Sequence, residues 1–387
     1  MLNTNIEPWP NFSDEEAKIA ADVVRSNKVN YWTGTEGREF EKEFAEYTGV
    51  EHAIAVANGT LALELALRAI DLEDGDEVIV TSRSFMASAS SIVVQGGVPV
   101  FADVDPNSQN ITADTIERVI TDRTKAIICV HLAGWMCEMD KICQLAEEKG
   151  LWVIEDCAQC HGASYQGKKA GSWGHINAFS FCQDKIMTTA GEGGMVTTND
   201  TVLWKKAWAY KDHGKSYDAV YNKQHPPGFR WLHESFGSNW RLTEVQSAIG
   251  RYQLKKLDSW IVERRDNAAR YDQVLANFDK VRLTQPNEDV FHSYYKYYFF
   301  IKPQDLNEGW SQQKLITALN EEGIPAFSGS CSEMYLEKAF AHFDQNVLPQ
   351  AHELTEQSYM LLVHPGITEQ QMNTMLAGLE KVLAQAL

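Results

Sequence analysis

Between residues 52 and 198 short apolar runs recur along the chain: HAIAVA (52–57), EVIV (77–80), VPVFAD (98–103), AIICV (126–130), LWVIED (151–156), NAFSFC (177–182) and GMVTT (194–198). Several are continuously apolar, the pattern of strands covered by helices on both faces. The stretches 61–70, 85–95 and 139–149 lie between them, with the length and periodicity of crossover helices. This alternation predicts an α/β fold around a mostly parallel sheet of about seven strands. Upstream, Ser13-Asp-Glu-Glu16 reads as a capping box ahead of Ile19 and Val23, and an acidic helix is predicted over 38–47, after Gly34 and Gly37.

After residue 200 the strand rhythm stops. An amphipathic pattern over 241–275, with Leu242, Val245, Ile249, Leu257, Trp260 and Ala268 on one side, predicts a single long connecting helix. A smaller α+β section containing YYKYYFFI (294–301) follows, and the chain closes on a helix capped by Thr368 and Gln371. The pattern divides the chain into a large domain with an N-terminal helical segment, 1–250, and the connecting helix with a small C-terminal domain, 251–387. There is no internal repeat.

Composition narrows the partners. The 387 residues carry 35 Lys+Arg against 53 Asp+Glu, a formal charge of −18. Nucleic acids and anionic membrane surfaces select basic patches, so neither is expected as a partner, and any anionic ligand must be held by a local site. The 44% hydrophobic content supports a large core. No apolar run approaches the ~20 residues that span a bilayer. The N-terminal stretch MLNTNIEPWPNFSDEE lacks the basic start and apolar segment of a secretory signal, which predicts a cytoplasmic protein. Seven cysteines, several inside apolar runs, read as reduced thiols.

Cys157-Ala-Gln-Cys160-His161 matches the C-x-x-C-H pattern of haem attachment, and half of a zinc site. No export signal and no second C-x-x-C accompany it, so both cysteines are expected to be small packed residues and no metal is expected. Other residues carry more chemistry. Asp156 closes an apolar strand, and a carboxylate at the C-terminal edge of a parallel strand points to the ligand crevice. Lys185 follows the next strand ahead of Gly191-Glu-Gly-Gly194. Buried near that edge, its ammonium would be destabilised, as a Schiff-base lysine requires. Asn58-Gly59-Thr60 joins the first strand to a helix whose N-terminus suits a phosphate. Edge aspartate, edge lysine and phosphate cradle together match the ring nitrogen, aldehyde and phosphate of pyridoxal 5'-phosphate.

The segments ANGTLALELAL (57–67), GDEVIVTSRSF (75–85), PVFADVDP (99–106), VHLAGW (130–135), VIEDCAQCHGA (153–163), SFCQDK (180–185), GEGGMVTTND (191–200) and GSNWRLTEVQSAIG (237–250) occur in one order along the chain. In these the sequence resembles the DegT/DnrJ/EryC1/StrS family of sugar aminotransferases, fold type I pyridoxal-phosphate enzymes. The resemblance explains the haem-like motif, since the family reads E-D-x-A-Q-x-H-G there. It implies that Lys185 holds the cofactor and moves the proton at the substrate carbon, and that Asp156 pairs with the ring nitrogen. Gln159 is implied near the ring hydroxyl, Phe85 stacked on the ring, and Gly59, Thr60 and Ser180 at the phosphate. Asn239 is expected to reach the phosphate of a neighbouring subunit, which implies a homodimer with shared active sites.

The implied reaction takes an amino group from L-glutamate to a keto-sugar, usually nucleotide-linked and often a 4-keto-6-deoxy hexose, in surface polysaccharide or amino-sugar biosynthesis. Residues 213–230 are rich in His, Lys and aromatics, and Lys215, His225 and Arg230 are candidates for the anionic substrates. Tyr31 and Trp32 are candidates for a sugar face. Two departures from the family stand out: Ile-Met-Thr-Thr-Ala makes the loop after Lys185 one residue longer than expected, and FSGSCSEMY (327–335) replaces a His-Tyr stretch. Family members with His at the lysine position are sugar dehydratases, against which Lys185 argues. That chemistry, another pyridoxal-phosphate reaction on the same fold, or a non-catalytic regulatory homologue is the alternative.

Overall fold

The computed structural model describes residues 6–224, 231–343 and 346–387. The seven apolar runs form one sheet: β1 (His52–Val56), β2 (Glu77–Thr81), β3 (Val98–Ala102), β4 (Thr124–Val130), β5 (Trp152–Asp156), β6 (Ile176–Ser180) and β7 (Gly194–Thr198). Their order is β1-β7-β6-β5-β4-β2-β3. The pairs from β3 through β6 are parallel, whereas β7 runs antiparallel to both β6 and β1.

Alternate residues feed opposite faces, as the two-residue strand period demands. Ile79, Ile127 and Val153 join one core layer, while Val80, Ile128 and Ile154 join the other. Helices Gly59–Ala69, Ala87–Val94 and Thr201–Lys211 cover the second layer, and helices Glu36–Thr48 and Met139–Lys149 the first. Both faces are therefore dry, which is why the strands read as unbroken apolar runs.

The predicted capping boxes form. Ser13 Oγ accepts from Glu16 N–H at 3.3 Å, opening helix Asp14–Arg25, and Thr368 Oγ accepts from Gln371 N–H at 3.3 Å, opening helix Glu369–Ala386. The single helix expected over 241–275 does not form. It is two helices, Glu244–Leu254 and Leu257–Leu275, with a turn in which Lys256 N–H bonds the Gln253 carbonyl at 2.9 Å. The apolar positions serve different partners on either side of that turn. Ile249 and Leu254 pack inward in the first helix, beside Asp14–Arg25 and Glu36–Thr48. The second begins on the sheet's core with Leu257 and Ile261 and ends with Ala268, Tyr271 and Leu275 in a separate core.

That separate core is built on a three-stranded antiparallel sheet, β8 (Tyr297–Phe300), β9 (Ala326–Phe327) and β10 (Ser358–Leu361), ordered β8-β10-β9. Leu315 and Leu319, then Met375 and Leu379, pack on it from two helices. A small sheet of Ser164–Tyr165, Lys168–Lys169 and Val290–Phe291 was not legible in the sequence. Among the described residues no helix is long and apolar enough to cross a membrane. All seven cysteines are free thiols.

Candidate active site

Parallel strands place their C-terminal ends on one edge, and here that edge opens into a cavity of about 1000 Å³. Asp156 is the last residue of β5 and Ser180 the last of β6, and both line the cavity. Because β7 is antiparallel, Gly194 starts it at the same edge, pairing with Ser180 and with Val56. The chain leaving Val56 turns through Asn58 into helix Gly59–Ala69, whose first turn therefore points at the cavity.

That first turn is built for an anion. Asn58 caps the helix by accepting Leu61 N–H at 2.9 Å on its side chain and Ala62 N–H at 3.1 Å on its carbonyl. The N–H groups of Gly59 and Thr60 have no intrahelical acceptor, as in any first turn. Ser180 brings its hydroxyl alongside, so close that a Cβ on Gly59 would sit 2.5 Å from Ser180 Cβ.

Asp156 is 4% exposed and accepts from Ser88 Oγ at 2.7 Å and from Ala158 N–H at 3.1 Å. Burial raises its carboxyl above the usual range, with Ser88, Ala158 and the charge of Lys185 pulling it back. Beneath it, His131 N–H donates to the Asp156 carbonyl at 3.3 Å, and the His131 ring contacts the buried Glu155 at 2.9 Å. Glu155 also collects N–H donors from Gly171, Trp173 and Gly174 at 2.7–3.0 Å. The strand end carrying Asp156 is thus fixed from below. Gln159 lines the cavity and accepts from Ala133 N–H at 2.9 Å.

Lys185 Nζ points into the same cavity, 3.4 Å from Tyr295 OH and 3.8 Å from Asp184. Its backbone carbonyl accepts from Trp9 Nε1 at 2.8 Å. The loop that follows is tied down: Thr188 Oγ1 bonds the Phe181 carbonyl at 2.8 Å, Thr189 Oγ1 the Glu192 carbonyl at 2.6 Å, and Ala190 takes a φ of 63°. Phe85, 70% exposed, lies on the cavity lining. The departing FSGSCSEMY segment forms the facing wall through Phe327, Gly329, Ser330, Cys331 and Met334, docked by Ser84 N–H on the Cys331 carbonyl at 3.1 Å.

The cavity gathers Gly59, Thr60, Phe85, Asp156, Gln159, Ser180 and Lys185 from four separate stretches of chain. It does not gather the proposed sugar contacts. Trp32 Nε1 and Lys215 Nζ both bond the buried Asp212, at 2.7 and 3.0 Å, and Arg241 joins them at 2.6 Å. Tyr31 is 2% exposed and donates to Glu41 at 3.0 Å. None of these three candidates is on the cavity lining, and their charges and rings are already engaged. His225 and Arg230 lie outside the described residues. Asn239 is exposed, away from this cavity, with its backbone bridged to Asp212.

Sequence reasoning missed Tyr295 and Lys296, which line the cavity from the entry to β8, and Asp184, which accepts from Tyr295 OH. The sequence places YYKYYFFI only in the small α+β section, and nothing in its local pattern marks which tyrosine turns its hydroxyl to the cavity. The C-x-x-C-H motif resolves structurally. Cys157 and Cys160 are fully buried, and the imidazole near them is His131, all within 4.8 Å. Cys160 and Glu155 pull His131 towards protonation, to about 9, against the opposing effect of burial. The Cys137 N–H already donates to Nδ1 at 3.1 Å, however, so the geometry holds the neutral ring with Nε2–H on Glu155. Both nitrogens are spent, leaving no imidazole lone pair for a metal.

A doubly covered, mostly parallel sheet whose edge joins a buried aspartate, a lysine and a helix N-terminus defines a fold type I pyridoxal-phosphate enzyme. The chain belongs to the DegT/DnrJ/EryC1/StrS aminotransferase family, whose model matches residues 10–380. It is 39% identical over 381 residues to GDP-perosamine synthase of Caulobacter vibrioides, covering 94% of this chain and 98% of that protein. An aminotransferase from Psychrobacter cryohalolentis has a TM-score of 0.96 at 52% identity, over 98% of this chain and 99% of that one. The putative sugar aminotransferase Spr1654 from Streptococcus pneumoniae, in its PMP form, has a TM-score of 0.88 at 26% identity, over 99% of this chain and 100% of that one. The protein is an aminotransferase, and its cofactor is pyridoxal 5'-phosphate.

The residues present fit that cofactor: the absence of a Cβ at Gly59 lets Ser180 pack against the helix's first turn and bring its hydroxyl beside the free N–H groups, and Asp156 is a buried carboxylate without a cationic hydrogen-bond partner among the described residues. Gly59→Val should therefore weaken cofactor retention by roughly tenfold or more, the scale of one lost charge-assisted hydrogen bond. Visible absorbance remaining after dialysis, compared with wild type, measures this.

Proposed function

We propose that the protein transfers the amino group of L-glutamate to a nucleotide-linked keto-sugar, a 4-keto-6-deoxy hexose by family resemblance, in surface polysaccharide or amino-sugar biosynthesis in the cytoplasm. The observation that carries the reading is Lys185 and Asp156 on one cavity with a phosphate cradle, in a chain similar to a GDP-perosamine synthase.

Bound pyridoxal phosphate supplies a carbonyl that takes up amino groups and a ring that accepts electron density. Asp156 holds the proton at the ring nitrogen, and Ser88 and Ala158 keep its carboxylate oriented. Lys185 moves the proton at the substrate carbon, with Tyr295 and Asp184 beside its ammonium. Gly59, Thr60 and Ser180 bind the phosphate. Phe85 and Gln159, both on the cavity lining, would cover the ring and meet its hydroxyl.

The reading includes a homodimer in which Asn239 completes the partner's phosphate site. Trp231 and Phe236, on the same segment as Asn239, are 88% and 98% exposed, and aromatic side chains this bare suit burial in an interface.

Adding L-glutamate to the holoenzyme should convert its visible spectrum to that of the pyridoxamine form. Restoration of the first spectrum by one of a panel of nucleotide-linked keto-sugars, with mass spectrometry of the product, would identify the acceptor. An unchanged spectrum with glutamate would exclude it as donor.

A further inference from the structure

Beside the main cavity lies a smaller chamber of about 230 Å³. The two share Asp184, Tyr295, Lys296, Phe327 and Leu362 as a common wall, while Trp9, Arg264 and His364 belong to the smaller one alone. Arg264 is 1% exposed. Its Nη1 donates to the Tyr295 carbonyl at 3.2 Å, but Nε and Nη2 have no hydrogen-bond partner among the described residues. No carboxylate pairs with it there, and burial lowers it to about 9.

An unpaired buried guanidinium is expensive, since its N–H groups have given up water without replacement. The Trp9 ring centroid lies 5.1 Å from the guanidinium carbon and the ring covers its face, but it leaves the in-plane Nε and Nη2 donors without an acceptor among the described residues. Lys296, lowered to about 8 by burial, stands 3.8 Å from Asp184, which also faces Lys185 at 3.8 Å. Lys185, Lys296 and Arg264 thus share Asp184 as the carboxylate on the common wall, with Glu263 acting on Arg264 from its own helix, in a chain whose overall charge is −18. Glu7, also on the lining, is exposed and holds none of the three in an ion pair. His364, kept neutral by burial, leaves Nδ1 without a partner among the described residues.

The free edge of Arg264 decides the ligand's shape. Nε–H and Nη2–H are parallel in-plane donors along one edge of the guanidinium, the fork that matches the two oxygens of a carboxylate. The chamber's volume suits a carboxylate on a short stem, and a nucleotide requires the main cavity instead. An amino donor's own α-carboxylate sits two bonds from the reacting nitrogen and must remain with Lys185. A γ-carboxylate is carried further along the stem, towards the wall of Tyr295 and Lys296 that the two chambers share.

We infer that this chamber is the side-chain carboxylate subsite of the amino donor, with Arg264 as the bidentate anchor and Lys296 and His364 as auxiliary contacts, so that it selects a dicarboxylic donor such as glutamate. The inference rests on the aminotransferase reading and names a specificity determinant within it.

Glutarate, an unreactive dicarboxylate, tests the subsite apart from turnover. Calorimetry on wild-type holoenzyme should show glutarate binding roughly tenfold or more tightly than butyrate, and Arg264→Gln should erase that difference. Arg264→Lys, which keeps the charge but loses the fork, should fall between them. In the glutamate half-reaction, Arg264→Gln should raise the donor KM and reduce the preference for L-glutamate over L-norvaline. Equal glutarate and butyrate binding to the wild type overturns the subsite, whatever the variants do, and so does displacement of glutarate by inorganic phosphate at equal concentration. Glutarate binding that depends on Arg264, with no spectral response to glutamate, would keep the dicarboxylate subsite and sink glutamate as the donor.

Discussion

Lys185→Ala should lose transamination by about 10⁴-fold, the scale of removing a positioned proton-transfer group, while the protein stays folded. The side chain does little for the fold. Its Nζ contacts Tyr295 at 3.4 Å and Asp184 at 3.8 Å, and the loop around it is held by backbone and threonine bonds that the substitution leaves intact. Two readouts separate its roles. The absorbance of the loaded enzyme reports loss of the amine that holds the cofactor, and single-turnover conversion with L-glutamate reports loss of the proton-moving base. Added methylamine should restore part of the second and none of the positional control. Full activity in the variant would show that another residue performs the transfer and would remove Lys185 from the mechanism.

Asp156→Asn should reduce turnover by about 10²–10³-fold, the magnitude of losing one preorganised electrostatic partner. Asn is nearly isosteric and can still accept from Ala158 N–H, with its amide turned towards Ser88, so the change in melting temperature should be small. Only the charge opposite the ring nitrogen disappears. The same logic sets a pH dependence. Burial raises the Asp156 carboxyl above its usual range, and the ionised form is the one that pairs with a protonated ring. Cofactor affinity should therefore fall as pH drops through that raised range and recover above it, and the Asn variant should lack this acid limb. Equilibrium dialysis of the cofactor across pH measures both. An identical acid limb in the variant would assign it to a different group.

Most of the large fold was legible because its determinants are local. Strands buried on both faces must be continuously apolar, and crossover helices must carry a helical stripe, so seven strands could be read within a few residues of their ends. Asp156 and Lys185 were legible for a related reason. Each sits at or just beyond a recognisable strand end, and parallel strands place those ends on one edge. The Gly59 turn followed from an Asn cap ahead of a helical stripe. The helix over 241–275 failed because one amphipathic stripe is consistent with one long helix or with two packed on different cores. Tyr31, Trp32 and Lys215 looked like surface chemistry by residue type, but a buried carboxylate at Asp212, 180 positions from Trp32, draws Trp32 and Lys215 inward.

By itself, then, the sequence determined the layered α/β architecture, the edge on which chemistry would occur, and the aspartate, lysine and glycine turn that suit the cofactor. Only the tertiary structure decided what surrounds that lysine. Trp9 reaches Lys185 across 176 positions, Tyr295 reaches Asp184 across 111, and Arg264 projects from a helix whose own period marks it as merely buried. Periodicity reports which face of an element is dry. It carries no information about which distant element supplies the opposite wall, or about whether a buried guanidinium finds a carboxylate there or is left with a free edge for a ligand.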